Sequence, residues 1–199
     1  MVLYVIIMLF WCVGIHGNNM VSAVKESIFQ PMILENMEIY QKTQDMSQVP
    51  NVLNIVMLQM FGEWGGSGVT LALIIAIFLF SKREDNRTIA TLSVVPGLFN
   101  INETMTFGIP LVLNPILDIP FILACVVTVT VGYVLTLIGF CPKAVIVTPW
   151  TCPPLLMGFL ATGGNIMGAV SQLVVIAIAT VIYTPFLLAF EKAQNEGKA

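Results

Sequence analysis

The sequence predicts an all-α, polytopic membrane protein in which full spans alternate with broken or re-entrant segments. Hydrophobic residues make up 57% of the 199-residue chain and charged residues only 10%, whereas a soluble domain carries about 25% charged residues. Long uncharged stretches lead to the same fold class, because a helix needs roughly 20 apolar residues to cross a bilayer. The longest stretches without Asp, Glu, Lys or Arg are 1–24, 64–81, 119–142 and 144–190.

The first part of the chain predicts helices with interruptions. The apolar stretch from Met1 to Trp11 is broken at residues 14–19, which contain glycines and paired amides. Residues 25–50 form the one long polar segment, so we expect them outside the hydrocarbon, with a short interfacial helix. Residues 52–61 are apolar but too short to span, and they predict one half of a re-entrant hairpin. Residues 64–81 then predict a full span.

The second part predicts two further spans around an interrupted element. Residues 118–140 and 166–190 are each long and apolar enough to cross a bilayer. Between them, residues 145–162 contain several prolines, and proline removes a backbone donor and clashes with the preceding turn. This segment is therefore expected to be an interrupted element that faces the interior. The whole chain then contains about four full spans plus two or three broken or re-entrant segments.

Basic residues predict how the chain is oriented. The short loop 82–87 is rich in Lys and Arg, and the positive-inside rule places such loops in the cytoplasm. Lys192 and Lys198 predict the same side for the end of the chain. These two assignments agree only if residues 89–115 leave the membrane on the side from which they entered. The sequence therefore predicts that this segment is re-entrant.

Glu103 is the leading candidate for a functional residue. It lies in the stretch SVVPGLFNINETMTFGIPLVLNP, where an ionisable group costs at least a few kcal/mol at the bilayer centre and usually faces a cavity. Asn100 and Asn102 offer amide donors and acceptors that suit sugar hydroxyls. Flanking Pro and Gly residues are expected to break the helix on both sides, as in transporter sites that expose polar backbone groups. The alternative is an interfacial glutamate at a loop tip.

Two other positions are weaker candidates. His16 is the only histidine, and an imidazole can donate, accept or shuttle a proton near neutral pH. The glycines beside it allow a ligand to approach the backbone closely, although a purely structural role is the alternative. Trp150 could stack on a sugar ring or anchor the chain at the membrane interface. Glu63 beside Trp64 forms a similar pair, for which a structural contact is the simpler interpretation.

Composition and motifs argue against several other classes of protein. The net charge of −3 provides no basic surface for nucleic acid. No phosphate-binding loop or nucleophilic triad is present, and no cofactor is predicted. The cysteines lack the short paired spacing of metal sites, so we interpret them as packing residues. They are Cys12, Cys125, Cys141 and Cys152.

Several motifs resemble one known family. The stretches FWCVGIHGNNMVSAV, GGSGVTLAL, PGLFNINETMTFGIPLVLNPILDIPF, VTPWTCPPLLMGFLATGG and IYTPFLLAFEK are similar, in order, to the lactose/cellobiose-type membrane permease, enzyme IIC, of the bacterial phosphotransferase system. The resemblance implies a multi-pass protein of the bacterial inner membrane, embedded in the lipid bilayer. Such a permease carries a β-linked disaccharide such as cellobiose, chitobiose or lactose. It presents the sugar's 6-hydroxyl to enzyme IIB, whose phosphocysteine, phosphorylated through enzyme IIA, donates the phosphoryl group.

The resemblance also assigns roles to particular residues. In that family the His of the GIHG motif and the Glu of the NINEP motif contact the sugar near its 6-hydroxyl, and here they correspond to His16 and Glu103. We predict that Glu103 is the base or hydroxyl anchor and that His16 orients the hydroxyl or receives its proton. The remaining predicted sugar-binding residues are Asn18, Asn100, Asn102 and Trp150.

The chain departs from the family pattern in two respects. Thr104 replaces the proline that usually follows the motif glutamate, which is expected to loosen the local turn. A full permease is also much longer, with an N-terminal bundle thought to form most of a homodimer interface. Residues 1–199 are therefore expected to be the C-terminal, substrate-binding half, which needs that missing half. The alternatives are a cation-coupled secondary sugar carrier, which uses similar broken helices, and an inactive fragment.

Overall fold

The computed structural model describes residues 1–197, and this range is α-helical with short 3₁₀ turns and no strand. The all-α prediction is therefore confirmed for the described chain. Lys198, which contributed to the predicted orientation, lies outside the described residues. The α-helices are α1 (Val2–Cys12), α2 (Gly17–Thr43), α3 (Ile55–Gly62), α4 (Leu71–Phe80), α5 (Glu84–Leu98), α6 (Glu103–Gly108), α7 (Pro115–Leu137), α8 (Leu156–Ala161) and α9 (Ile166–Asn195).

Within residues 1–197, two helices are long and apolar enough to cross a membrane. They are α7, with a mean hydropathy of 2.2 over its most apolar window, and α9, with 2.5. These helices pack on each other and confirm the predicted spans 118–140 and 166–190 as apolar helices of membrane-crossing length, although α7 begins three residues earlier and ends three residues earlier than predicted. The α3 segment and α4 form a bent pair at 61°, which makes a third crossing if it is one broken span.

The segment 64–81 is not the single uninterrupted helix that we expected. Helical geometry ends after Gly62, and α4 begins only at Leu71. Gly65, Gly66 and Gly68 in between adopt φ values of 72°, 86° and 74°, a region that side chains other than glycine rarely enter. The glycines therefore end α3 and prevent the chain from continuing as one helix. The break extends further into the predicted span than the hydropathy pattern indicated.

Helix α2 is longer than the short interfacial helix expected within residues 25–50. It begins at Gly17, directly after His16, and runs for 27 residues. The His16 side chain accepts a hydrogen bond from the Asn19 backbone N–H and so caps the first turn. The glycine and asparagine cluster at residues 14–19 therefore contains both the turn after α1 and the start of α2.

The chain is interrupted before Glu103 and again across residues 145–162, as predicted. Helix α5 ends at Leu98 and α6 begins at Glu103, although Pro96 lies inside α5 rather than ending it. In the second segment only the short α8 is helical. The buried Gln172 of α9 accepts from two backbone N–H groups around α8 and donates to the Met60 carbonyl of α3. This amide joins the interrupted element to the core.

The basic loop and the end of α9 lie together, as the orientation argument requires. Asn86 donates to the buried Glu191 carboxylate of α9 at 2.8 Å, and Ser81 donates to the same oxygen. Arg83 donates to Asn195 at 2.7 Å and to Asp85 at 2.6 Å. The Arg83 guanidinium lowers the pKa of Asp85 below its ordinary value, because it donates hydrogen bonds to the ionised carboxylate.

Candidate functional site

A polar cavity of about 420 Å³ lies where the helix breaks meet. Its walls come from the start of α2, the α3–α4 break, the α5–α6 break and the loop before α8. Small-molecule sites typically occupy roughly 300–1,000 Å³, so the cavity is large enough for a ligand. The structure brings all of the predicted site residues to its wall, which are His16, Asn18, Asn100, Asn102, Glu103 and Trp150.

His16 and Glu103 face each other across one end of this cavity. The His16 Nε2 atom lies 3.7 Å from Glu103 Oε1, and the side chains are 39% and 45% exposed. The distance exceeds the 2.7–3.2 Å of an N–H···O hydrogen bond. The two groups therefore converge without bonding each other, which leaves room for a ligand hydroxyl that contacts both.

Local contacts determine which imidazole nitrogen is available. The Asn19 backbone N–H donates to His16 Nδ1 at 3.3 Å, so in the neutral ring the proton lies on Nε2. The buried Trp11 ring lies against the imidazole, with centroids 4.7 Å apart. His16 is thus held by its own helix cap and by α1. It presents an N–H donor to the space beside Glu103.

Asn18 and Asn102 are joined through Ser67, a residue that sequence analysis did not select. The Asn18 amide donates to Ser67 Oγ at 3.1 Å, and the Asn102 amide donates to the Ser67 carbonyl at 3.3 Å and to Thr106 Oγ1 at 3.0 Å. Among the described residues, Asn18 Oδ1 is buried without a hydrogen-bond partner. A buried, unpaired oxygen is costly, so a donor group of a ligand that reached this carbonyl would offset that cost.

Asn100 uses its side chain to hold the walls of the cavity together. Its Oδ1 accepts from the Gly65 backbone N–H at 2.9 Å, and its amide donates to the carbonyls of Trp150 at 2.6 Å and Cys152 at 2.9 Å. Its φ of 64° lies in the left-handed region, which asparagine tolerates better than most residues. Both amide hydrogens of Asn100 are therefore used in hydrogen bonds to backbone carbonyls.

Substitution of Asn100 by Ala is expected to destabilise the protein. It removes every hydrogen bond of this side chain and leaves buried backbone groups unpaired, at a cost of roughly 3 kcal/mol or more. Thermal unfolding of the detergent-purified protein measures the change. Asn19→Ala is the control, because Asn19 is exposed and its side chain makes no hydrogen bond to a described residue. Equal unfolding temperatures for the two variants would contradict the assigned role.

Trp150 lies at the edge of the cavity. The residue is 56% exposed, and its backbone carbonyl accepts a hydrogen bond from the Asn100 amide. The ring is therefore free to contact a ligand although the backbone that carries it is held in place. Both of the sequence-based interpretations, stacking on a sugar and anchoring at an interface, are compatible with this position.

The cavity also contains an ion pair that sequence analysis missed. Lys25 Nζ lies 2.5 Å from Glu63 Oε1, and the side chains are only 7% and 13% exposed. Lys25 had been assigned to a polar segment, and Glu63 to a structural contact. Helical spacing in the sequence could have indicated Lys25, because Asn18, Ser22 and Lys25 lie on one face of a helix. In the structure all three line the cavity.

Thr104 does not disturb the segment that carries Glu103. Glu103 is the first residue of α6, and Thr104 is the second. The first turn of a helix is where proline is tolerated, because its missing N–H would have no intrahelical partner there. Threonine at this position is itself helical, so α6 begins at Glu103 without the proline.

Apolar helices of membrane-crossing length, combined with a polar cavity at helix breaks, define an α-helical membrane protein. The chain belongs to the family described as the phosphotransferase system, EIIC, whose family model matches residues 1–125. It is 40% identical over 189 residues to the lichenan permease IIC component of Bacillus subtilis (strain 168), covering 93% of this chain and 40% of that protein.

Another relative and a solved structure show the same similarity. The cellobiose-specific EIIC component of Lactococcus lactis subsp. lactis (strain IL1403) is 36% identical over 204 residues, covering 94% of this chain and 41% of that protein. The crystal structure of the transporter ChbC, the IIC component of the N,N'-diacetylchitobiose-specific phosphotransferase system, superposes with a TM-score of 0.92 at 38% identity. That match covers 100% of this chain and 46% of the other. The chain thus spans less than half the length of these relatives.

Proposed function

We propose that this chain forms the sugar-binding half of a phosphotransferase-system permease for β-linked disaccharides. The observation that carries the proposal is the approach of His16 Nε2 and Glu103 Oε1 to 3.7 Å across a polar cavity. A relative is named for cellobiose and a structural neighbour for N,N'-diacetylchitobiose. Both sugars are β-linked disaccharides, which supports the same substrate class here.

The geometry suits activation of a sugar hydroxyl. A hydroxyl is a poor nucleophile, and a carboxylate within hydrogen-bond reach accepts its proton as phosphoryl transfer proceeds. In the proposed step, the sugar 6-hydroxyl oxygen attacks the phosphorus of the enzyme IIB phosphocysteine. The new O–P bond forms as the S–P bond breaks, the thiolate leaves, and the proton passes to Glu103.

The roles of the two residues follow from their hydrogen bonds. Because His16 Nδ1 accepts from the Asn19 N–H, its Nε2–H is a donor and orients the hydroxyl oxygen. The Glu103 carboxylate makes no hydrogen bond within residues 1–197, and we assign it as the base. The free carbonyl oxygens of Asn18 and Asn102 accept from other sugar hydroxyls, and the exposed Trp150 ring stacks on a sugar face.

The proposal includes the surroundings that the family implies. The chain lies in the bacterial inner membrane as a multi-pass protein, with about four spans and re-entrant segments at the helix breaks. It works with enzyme IIB, which is itself phosphorylated by enzyme IIA, and with a complementary N-terminal half. That half supplies most of the interface of a homodimer.

The decisive experiment is phosphorylation of a panel of β-linked disaccharides in membranes that contain the chain together with the complementary N-terminal half of the permease. We expect sugar phosphate to form only when phosphoenolpyruvate and the soluble phosphotransferase proteins are both present. Accumulation of unmodified sugar driven by an ion gradient would instead identify a cation-coupled carrier. Neither phosphorylation nor accumulation would identify an inactive fragment, and either outcome would overturn the proposal.

His16→Asn is expected to slow phosphorylation without unfolding the protein. Asparagine is among the best N-cap residues, so α2 retains its cap, but the Nε2–H donor is lost. A hydrogen bond to a developing charge contributes about 1.5–3 kcal/mol, which corresponds to a fall in kcat/KM of roughly tenfold to a hundredfold. Steady-state kinetics and an unfolding curve measure the two effects. Unchanged kinetics would contradict the orienting role.

A further inference from the structure

The cavity has a second polar centre in addition to His16 and Glu103. Lys25 of α2 and Glu63 at the end of α3 form the ion pair described above, with an Nζ–Oε1 distance of 2.5 Å. The Tyr4 hydroxyl of α1 also contacts Glu63 Oε1 at 2.9 Å. Side chains of two helices, α1 and α2, therefore hold this carboxylate in place at the cavity wall.

Two helices independently place this pair away from the His16 end. On α2, Lys25 lies about 10 Å further along the axis than Asn18, at a rise of about 1.5 Å per residue. On α1, Tyr4 contacts Glu63 and Trp11 packs against His16, and these two aromatic residues are again about 10 Å apart along the axis. On both helices, the residue at the ion pair is therefore about 10 Å along the axis from the residue nearer to His16.

The ion pair retains hydrogen-bonding capacity that the protein does not use. An ammonium carries three donors, and Glu63 Oε1 is the one acceptor within residues 1–197 that contacts Lys25 Nζ. Glu63 directs Oε1 to both Lys25 and Tyr4, while its Oε2 has no hydrogen-bond partner in the described chain. Both side chains line the cavity. A strong donor and a strong acceptor are thus offered side by side to a ligand.

We infer that the Lys25–Glu63 ion pair binds the hydroxyl groups of the second sugar ring, the ring that does not carry the hydroxyl at Glu103. This inference rests on the proposed function and adds a specificity-determining pair to it. Because Glu63 neutralises Lys25, the pair favours an uncharged ring. A carboxylate on that ring meets Glu63 without a free cation to compensate it.

The inference is tested by comparing a disaccharide with a monosaccharide. Membranes that contain the whole 199-residue chain together with the complementary N-terminal half are titrated with radiolabelled cellobiose and with methyl β-glucoside. For Glu63→Gln and for Lys25→Met we expect cellobiose affinity to fall about tenfold or more, since hydrogen bonds to charged groups are lost. The affinity for methyl β-glucoside, which occupies only the Glu103 end, is expected to change by less than about twofold.

Glu38→Gln is the matched control. Glu38 pairs with Lys42 at the same 2.5 Å distance on the same helix, but both side chains are exposed and lie outside the cavity. Breaking an exposed pair has little effect, so both sugars should bind as in wild type. A loss of cellobiose affinity in this control equal to that in Glu63→Gln would overturn the inference, because the effect would then be non-specific.

A double variant separates a loss of binding from a loss of folding. Glu63→Gln leaves a largely buried ammonium unpaired, which is strongly destabilising, whereas Lys25→Met combined with Glu63→Gln removes both charges. The double variant is expected to bind methyl β-glucoside normally and cellobiose weakly.

A disaccharide with glucuronic acid as its second ring provides a gain-of-function test. Because Lys25 is uncompensated in Glu63→Gln, we expect this variant to bind that disaccharide more tightly than wild type does.

The outcomes separate the two proposals. If wild type binds neither sugar, the proposed function fails and the inference fails with it. If wild type binds both sugars and the ion-pair variants weaken both equally or neither, the inference alone is wrong. If cellobiose binding alone is weakened in both single variants and in the double variant, the Lys25–Glu63 pair is the second-ring site.

Discussion

Glu103→Gln is expected to abolish most sugar phosphorylation while sugar still binds. Glutamine keeps the size of the side chain and can bond a hydroxyl, but it cannot accept the proton in the transition state. General base catalysis contributes about a hundredfold to ten-thousandfold, so we expect kcat to fall by an amount in that range. The effect should exceed that of His16→Asn, because His16 orients the hydroxyl and Glu103 receives the proton.

The measurement separates binding from chemistry. Binding of radiolabelled cellobiose and phosphoenolpyruvate-dependent phosphorylation are measured on the same membranes. Glu84→Gln is the control, since Glu84 is an exposed carboxylate in the first turn of α5 and does not line the cavity. Full phosphorylation by the Glu103→Gln variant would rule out the base role. Loss of both binding and phosphorylation would contradict the expectation that sugar still binds and would show that Glu103 is needed for binding.

Gly17→Ala is expected to be severely destabilising. A Cβ atom on Gly17 would lie 2.1 Å from the Ile7 backbone carbonyl oxygen, and backbone cannot rotate away as a side chain can. Helices α1 and α2 would have to separate at the residue that follows His16. Overpacking of this kind costs roughly 1–3 kcal/mol or more. We also expect phosphorylation to fall, because the separation displaces the imidazole from Glu103.

Gly97→Ala provides the comparison for this effect. Gly97 is also helical, but its added Cβ would meet only the ends of two side chains, Ile74 at 3.1 Å and Leu71 at 3.9 Å. Alanine is favoured over glycine within a helix by roughly 0.5–1 kcal/mol, so this variant should be about as stable as wild type. Thermal unfolding in detergent compares the two variants. A stable, active Gly17→Ala protein would show that α1 and α2 are not in tight contact.

The sequence predicted those site residues that carry a local signal and missed those whose role depends on a distant partner. Glu103 could be found because an ionisable side chain in an apolar stretch is costly unless it faces a cavity. His16 could be found because it is the single histidine and lies in a glycine-rich break. Lys25 and Glu63 could not be paired in advance, since they are 38 residues apart and each is unremarkable alone. Their pairing exists only where α2 passes the end of α3.

Asn100 illustrates a different limit. Its residue type predicted hydrogen bonding, and its position beside Glu103 suggested that the bonds go to a ligand. In the folded chain they go to the backbone of Gly65, Trp150 and Cys152. Sequence shows how many donors and acceptors a side chain has. It does not show which loops come close enough to use them.

Hydrophobicity, helix breakers and motif residues were sufficient to predict the helical membrane class, the interrupted segments and six of the residues around the cavity, but not Ser67, Lys25 or Glu63. These are local properties, because hydropathy, proline and glycine act over a few neighbouring residues. The length of α2, the break within residues 64–81, the direction of the His16 N–H and the Lys25–Glu63 pair were decided only by tertiary structure. Each depends on contacts between helices distant in sequence or on the hydrogen bond that a cap makes. Such contacts are determined by packing, and packing is not encoded in any single stretch of the chain.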